Sequence, residues 1–298
     1  MDGIINIDKP WGKTSFSIVS LVKRLTGEQH VGHAGTLDPA ATGVLPVCLG
    51  RGTRVTQFLA DAPKAYRAQI EFGVATDTYD ATGNITARGD PSGINQEQLV
   101  SALTSFTGEI QQTPPMYSAV KHHGKPLYQL ARSGITVERK DRLVRIYHLE
   151  LRDWQPPIAT VEVECGKGTY IRSLAHDLGQ LLGCGANLKS LTRLRCGCFD
   201  IGDAVSLPQL EDASRHGYWQ RFIYPIDIVL LHLAAMVVND AAEKDIRNGR
   251  PLVFDRDDSL PRSSFDNHCR VYSRDGCFLA MVRFNSETGQ WQPEKVFL

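Results

Sequence analysis

Apolar residues along this chain recur at two periods, and the switch between them marks its elements. From Lys64 to Val74, Tyr66, Ala68, Ile70, Phe72 and Val74 alternate with Arg67, Gln69, Glu71 and Gly73. Period two predicts a strand with one apolar face, and Tyr66 stands at its start. Gly3–Ile7 predicts a short buried strand, and Leu143–Leu151 and Thr160–Cys165 two more. Helical spacing appears in Thr14–Leu25, where Ile18, Val22 and Leu25 share a face, Thr14 or Ser15 can cap, and Gly27 stops the turn. Asn95–Phe106 opens on an Asn95/Gln98 capping box and places Leu99, Val100, Leu103 and Phe106 inside. Tyr170–Leu182 puts Ile171, Leu174, Leu178 and Leu181 on one side, with Gly183 after it. Between these lie a long Gly/His/Pro loop over Glu28–Gly43, the apolar run Val44–Leu49, a turn-rich Asp77–Asn84 and an irregular polar Thr113–Arg145.

Strands and helices mix without a strict βαβ repeat, so the predicted class is α+β with a mixed or largely antiparallel sheet flanked by helices. At 298 residues the chain is long enough for two domains. The expected boundary is near 230, giving 1–230 and 231–298. Past it, Asn248-Gly249-Arg250-Pro251 is a turn signal, and Cys269–Tyr272 and Cys277–Phe284 read as strands flanking Asp275-Gly276. The second unit is therefore a small β-rich appendage. The longest apolar run, Ile228–Val238, has 11 residues and contains His232. A membrane span needs about 20, so it predicts a buried segment or a domain junction. Met1–Pro10 carries Asp2 and Asp8 and no secretory apolar core.

Charge changes this picture more than bulk composition does. Lys plus Arg and Asp plus Glu both number 33, a formal net charge of zero. Residues 111–147, however, hold seven cations against two carboxylates, a balance of +5. Residues 165–199 stand at +4, and residues 70–110 at −5. The neutral total excludes a wholly basic polyanion binder while leaving room for a basic face. Solvated loops account for the counts equally well. The seven cysteines contain no Cys-x-x-Cys pair. Buried free thiols in a reducing cytoplasm are expected, and no zinc site.

Several motifs can be set aside. Gly12-Lys13-Thr14 lacks the earlier glycine of a phosphate loop, since Ile7 occupies that place. Gly50-x-Gly52 lacks a third glycine at Val55. His30 and His33 have no accompanying Glu and bracket Gly32, which argues against a metal site. No Gly-x-Ser-x-Gly elbow occurs. The remaining candidate is His30–Gly50, where Asp38 is the one carboxylate. Pro39 biases it toward extended backbone, and Gly32, Gly35 and Gly43 allow tight turns and close approach. The loop thus presents a single fixed carboxylate. An Asx turn is the competing reading.

Gly35-Thr36-Leu37-Asp38-Pro39 with Gly43-Val44-Leu45 resembles the signature of the TruB family of tRNA pseudouridine synthases. Asn6-Ile7-Asp8-Lys9-Pro10-Trp11-Gly12 resembles that family's N-terminal motif. Lys64-Ala65-Tyr66 and Thr76–Gly83 are similar to its tyrosine-bearing strand and following turn, Gln112–Lys121 to the start of its RNA-binding insertion, and Cys165–Leu174 to its arginine motif. All five occur in family order over residues 1–200.

The resemblance implies isomerisation of uridine 55 in the T loop of tRNA, without cofactor or metal. Asp38 would be the nucleophile, Arg172 its ion-pair partner, and Tyr66 the tyrosine stacked on the target base, which must be flipped out. His33 would help hold the flipped loop by stacking, which a neutral ring can do. Lys9 and Pro10 would support the Asp38 loop, and Leu191 would form a pocket wall. Ser190-Leu191-Thr192-Arg193 departs there from a more aromatic and basic family pattern. The +5 segment, with Lys121 and Arg132, coincides with the RNA-clamping insertion, about 111–147. Residues 231–298 resemble the small PUA-like domain that follows this catalytic domain. The expected protein is a cytoplasmic monomer that acts on tRNA without guide RNA or membrane.

Two other readings stay open here. One is a non-catalytic tRNA-binding or tRNA-folding protein on the same scaffold, which would not need Asp38. The other is a cofactor-free enzyme acting on a small nucleoside, which would not need the basic insertion.

Overall fold

The computed structural model describes residues 1–253 and 267–298. Eight strands form the body of its main sheet: β1 (Gly3–Lys9), β2 (Val31–His33), β3 (Ala41–Leu49), β4 (Lys64–Phe72), β5 (Gly108–Gln112), β6 (Arg142–Gln155), β7 (Ile158–Cys165) and β8 (Ala186–Cys196). Their order is β1-β3-β8-β4-β7-β6-β5, with β2 on the free part of β3. Short strands at Phe199–Asp200, Val205–Ser206 and Ile223–Tyr224 extend the sheet. β8 runs parallel to β3 and antiparallel to β4, so the sheet is mixed, as the pattern predicts.

Helices α1 (Ser15–Thr26), α2 (Gln96–Ser105), α4 (Ile171–Leu181) and α5 (Leu207–Arg215) cover it, while α3 (Leu127–Arg132) lies in the polar 113–145 segment. α1 begins at Thr14, whose hydroxyl accepts from the Ser17 amide, and ends at Gly27 in the left-handed region. α2 carries the capping box of Asn95 and Gln98. Both helix starts lie where the caps predict them.

β1 and β3 are buried on both faces. Ile4, Val44 and Cys48 belong to one cluster, while Ile5, Ile7, Leu45 and Val47 pack with α1 and α5 on the other. This explains the continuous Val44–Leu49 run, because a strand covered twice has no polar face. β4 is covered once, by α2 and α4 through Ala68, Ile70, Phe72, Leu99, Leu174 and Leu178, and keeps its alternation.

Four sequence readings are corrected. The Glu28–Gly43 loop contains β2, and β3 starts at Ala41. Val100 and Leu181 are exposed, because each lies one step off the buried stripe of its helix. The polar Thr113–Arg145 segment contains α3 and a two-strand hairpin, Lys121–His122 with Lys125–Pro126. Cys198 and Cys277 are exposed, whereas the other five thiols are buried as expected.

A second sheet of four strands, β9 (Ala234–Val237), β10 (His268–Tyr272), β11 (Phe278–Asn285) and β12 (Gln290–Val296), makes the C-terminal β-rich domain. Its Phe278, Met281 and Phe297 pack into the cluster of Ile4, Val44 and Leu230. The apolar run from Ile228 passes through this junction into β9. Among the described residues no helix is long and apolar enough to cross a membrane.

Candidate active site

Asp38 sits between β2 and β3, and its neighbours pin it from both sides. The Leu37 amide donates to Ser15 Oγ at 2.9 Å, and Ser15 Oγ donates to the Leu37 carbonyl at 3.0 Å. Leu37 is buried among the side chains of α1 and β3. On the other side the Pro39 carbonyl accepts from the Gly12 amide at 2.8 Å and from Lys9 Nζ at 3.3 Å. Lys9 Nζ also donates to the Lys13 and Pro10 carbonyls, at 2.7 and 3.0 Å. Lys9 is wholly buried, and loss of water pushes its ammonium down to about 8 against the pull of Asp38. It staples the 10–13 loop and the Asp38 loop together.

Arg172 approaches from the first turn of α4. Its Nε lies 3.0 Å from Asp38 Oδ2. The same guanidinium donates to the Thr78 carbonyl at 3.3 Å and the Tyr117 carbonyl at 2.9 Å, and lies 3.8 Å from Asp80 Oδ2. Arg172 is 7% exposed on its side chain and Asp38 44%. The guanidinium is therefore a fixed floor and the carboxylate opens to solvent. Crowding by protein raises the Asp38 carboxyl above its ordinary value, and Asp80 adds to this. Arg172 and Lys9 pull it back down.

Tyr66 lies opposite Arg193 in the β4–β8 register, and Ala68 opposite Leu191. Paired residues share a face, so Leu191, Arg193 and Tyr66 form one wall. Burial pushes the Tyr66 phenol up to about 12, against the Arg193 charge beside it, so at neutral pH it carries its proton. His33 on β2 keeps a buried Nδ1 with no hydrogen-bond partner, and burial, then Arg193, lowers its pKa. The ring is neutral at physiological pH.

The structure thus gathers Asp38, Arg172, Lys9 and Pro10 into one cluster and sets Tyr66, Leu191 and His33 around Arg193. Lys121 and Arg132 lie apart, exposed on the inserted segment, where Arg132 stacks over the Tyr128 ring at 5.6 Å. Tyr117, at the root of that segment, ties it to Arg172.

Sequence reasoning missed Arg193 and Asp80. Arg193 is 1% exposed and donates to the Val44 carbonyl at 2.6 Å and the Gly35 carbonyl at 3.0 Å, with no carboxylate in ion-pair reach among the described residues. Asp80 is held by its own turn, accepting from Thr78 Oγ1, the Thr82 amide and Thr82 Oγ1 at 2.8, 2.9 and 2.6 Å. The signal for Asp80 was its place in the Thr76–Gly83 motif, which holds two acids, Asp77 and Asp80. Among the described residues no group of three or more His, Cys, Asp or Glu is placed to hold a metal ion.

The fold that carries this site has a solved counterpart. The chain superposes on the Cbf5-Nop10-Gar1 complex with a TM-score of 0.76 and 28% identity, covering 99% of this chain and 85% of that one. Residues 23–171 match the model for the TruB family pseudouridylate synthase N-terminal domain, and residues 172–231 that for the tRNA pseudouridylate synthase B C-terminal domain. The tRNA pseudouridine synthase B of Dehalococcoides mccartyi strain CBDB1 is 45% identical over 298 residues, covering 100% of this chain and 97% of that protein. The enzyme of the same description from Pelotomaculum thermopropionicum is 43% identical over 306 residues, covering 100% and 95%. The chain belongs to the TruB family of pseudouridylate synthases.

Proposed function

We propose that this enzyme, a tRNA pseudouridine synthase, isomerises uridine 55 of the T loop, with Asp38 as nucleophile. The observation that carries this reading is the pinned Asp38 carboxylate, open to solvent and 3.0 Å from a buried Arg172. In the reaction the N1–C1′ bond breaks, the uracil turns, and C5 bonds to C1′. The C5 proton leaves to solvent and N1 gains one. Nothing is oxidised, so no redox partner is called for.

Asp38 forms and then breaks a transient bond to the nucleoside, at ribose C1′ or at uracil C6. The net isomerisation is the same either way. Arg172 keeps the carboxylate ionised and aimed. Tyr66 stacks on the target base and, being protonated, can supply or relay a proton. His33 holds the flipped T loop by stacking, Leu191 closes the pocket, and Lys9 and Pro10 hold the Asp38 loop. Lys121 and Arg132 contact tRNA phosphates on the clamping insertion. Residues 1–230 act as the catalytic domain and 231–298 as a PUA-like RNA-binding one. The enzyme works as a cytoplasmic monomer without guide RNA.

The experiment is incubation with an unmodified tRNA transcript and mapping of pseudouridine by carbodiimide-blocked primer extension. A single new stop at uridine 55 is expected. Pseudouridine at other positions would overturn the specificity. Tight tRNA binding with no pseudouridine anywhere would leave the alternative, a tRNA-binding or tRNA-folding protein on this scaffold.

A further inference from the structure

Two large aromatic side chains stand in solvent beside the Asp38 loop. Trp11 is 72% and Phe16 75% exposed. Among the described residues neither packs against another aromatic ring. Both are nonetheless fixed in place through their neighbours. Trp11 lies between Pro10, whose carbonyl is held by Lys9, and Gly12, whose amide is bonded to Pro39. Phe16 follows Ser15, whose hydroxyl is bonded twice to Leu37. Leu37 and Pro39 are the two residues flanking Asp38. The rim that presents these rings is therefore rigidly coupled to the reactive carboxylate.

The segment that carries the rings is basic. From Lys9 to Arg24 the chain holds Lys9, Lys13, Lys23 and Arg24 and no acid. Lys13, Lys23 and Arg24 are exposed, and the first turn of α1 is free of carboxylates. A hydrophobic protein partner would need a continuous apolar patch. Here two flat rings instead flank Lys13 and Thr14, with Ser17 next in sequence, the pattern that suits bases on a phosphate backbone.

We propose that Trp11 and Phe16 form a stacking ledge for an unpaired base of the RNA substrate on the rim of the catalytic cleft, with Lys13 contacting a neighbouring phosphate. This rests on the reading above that the chain acts on tRNA. The ledge adjoins the Asp38 loop, so it positions RNA before the target uridine reaches Asp38. It is a binding feature, separate from the reacting groups.

The test measures binding of unmodified tRNA transcript to the intact protein and to three variants, Trp11→Ala, Phe16→Ala and the double. Pseudouridine formation is followed at saturating enzyme. Each single substitution is expected to weaken binding about tenfold, as loss of one base stack does, with the saturated rate within about threefold of the parent. Trp11→Phe should restore most of the affinity. Lys13→Gln should lower the slope of log affinity against log salt by about one. Unchanged affinity in the double variant, while the parent still modifies tRNA, would overturn the ledge and leave the enzyme reading standing. A parent that neither binds nor modifies tRNA would overturn both. Sedimentation showing a parent dimer that the double variant loses would assign the rings to self-association instead and overturn the proposal. Circular dichroism of each variant keeps a folding defect separate from a binding one.

Discussion

Asp38 is oriented before any substrate arrives. Its backbone neighbours are bonded on both sides, and its partner arginine has no freedom left, because three of its nitrogens are engaged. Two expectations follow at this scale. Lysine at position 172 offers one point charge where the guanidinium reaches Asp38, Thr78 and Tyr117 together. Arg172→Lys should therefore slow single-turnover pseudouridine formation about 100-fold or more while tRNA affinity stays within about threefold. A rate within tenfold of the parent would contradict this. The second concerns pH. The Asp38 carboxyl is raised, chiefly by the protein crowded around it, and in the proposed reaction only its ionised form attacks. The rate should thus rise with pH through a value above the ordinary 3.8 of aspartate. A single-turnover profile with its acid limb at or below that value would show the carboxylate to be less crowded than described.

Among the elements, β8 decides where the site sits, because it joins β3, which follows Asp38, to β4, which carries Tyr66. Its parallel pairing with β3 depends on Gly43. This residue has φ of +97°, and a Cβ there would lie 2.2 Å from the Arg193 carbonyl oxygen. Gly43→Ala should destabilise the fold by about 3 kcal/mol or more, from positive φ and backbone overlap together. Urea unfolding measures it, and a loss under about 1 kcal/mol would contradict the packing. The same strand shows why part of the fold was illegible. β4 reads cleanly because it is regular and covered on one face. β8 carries register shifts between Leu188 and Ser190 and between Arg193 and Arg195, so its apolar residues keep no constant period. Arg193 gives no local signal of burial because the carbonyls that satisfy it, on Gly35 and Val44, come from about 150 residues earlier. Asp38, Tyr66 and Arg172 were legible only as members of ordered motifs. Each alone reads as an ordinary loop, core or helix residue.

For the whole molecule, charge and domain packing are the levers. Lys121 and Arg132 of the +5 segment are exposed, and the segment is joined to the site through Tyr117 and Arg172. Replacing both Lys121 and Arg132 with Gln should lower the salt slope of tRNA binding by about two and leave the saturated rate nearly unchanged. An unchanged slope would remove these two residues from the RNA contact. The C-terminal sheet is part of the core as well as an appendage, since Met281 and Phe297 pack with Ile4 and Val44, and Arg51 donates to the Phe297 carbonyl at 2.6 Å. A chain ended at Leu230 would bare that apolar surface. It should melt lower than the full chain and aggregate at lower concentration. Equal melting temperatures would mean that the first 230 residues are self-sufficient.

The central claim is that the Asp38 carboxylate attacks a uridine of tRNA. It is tested most directly by release of tritium from tRNA labelled at uracil C5, with the parent and Asp38→Asn side by side. Asparagine keeps the size and the loop while removing the nucleophile. The account predicts stoichiometric release by the parent, none by Asp38→Asn, and equal tRNA binding by both. Release by Asp38→Asn at a comparable rate would contradict it.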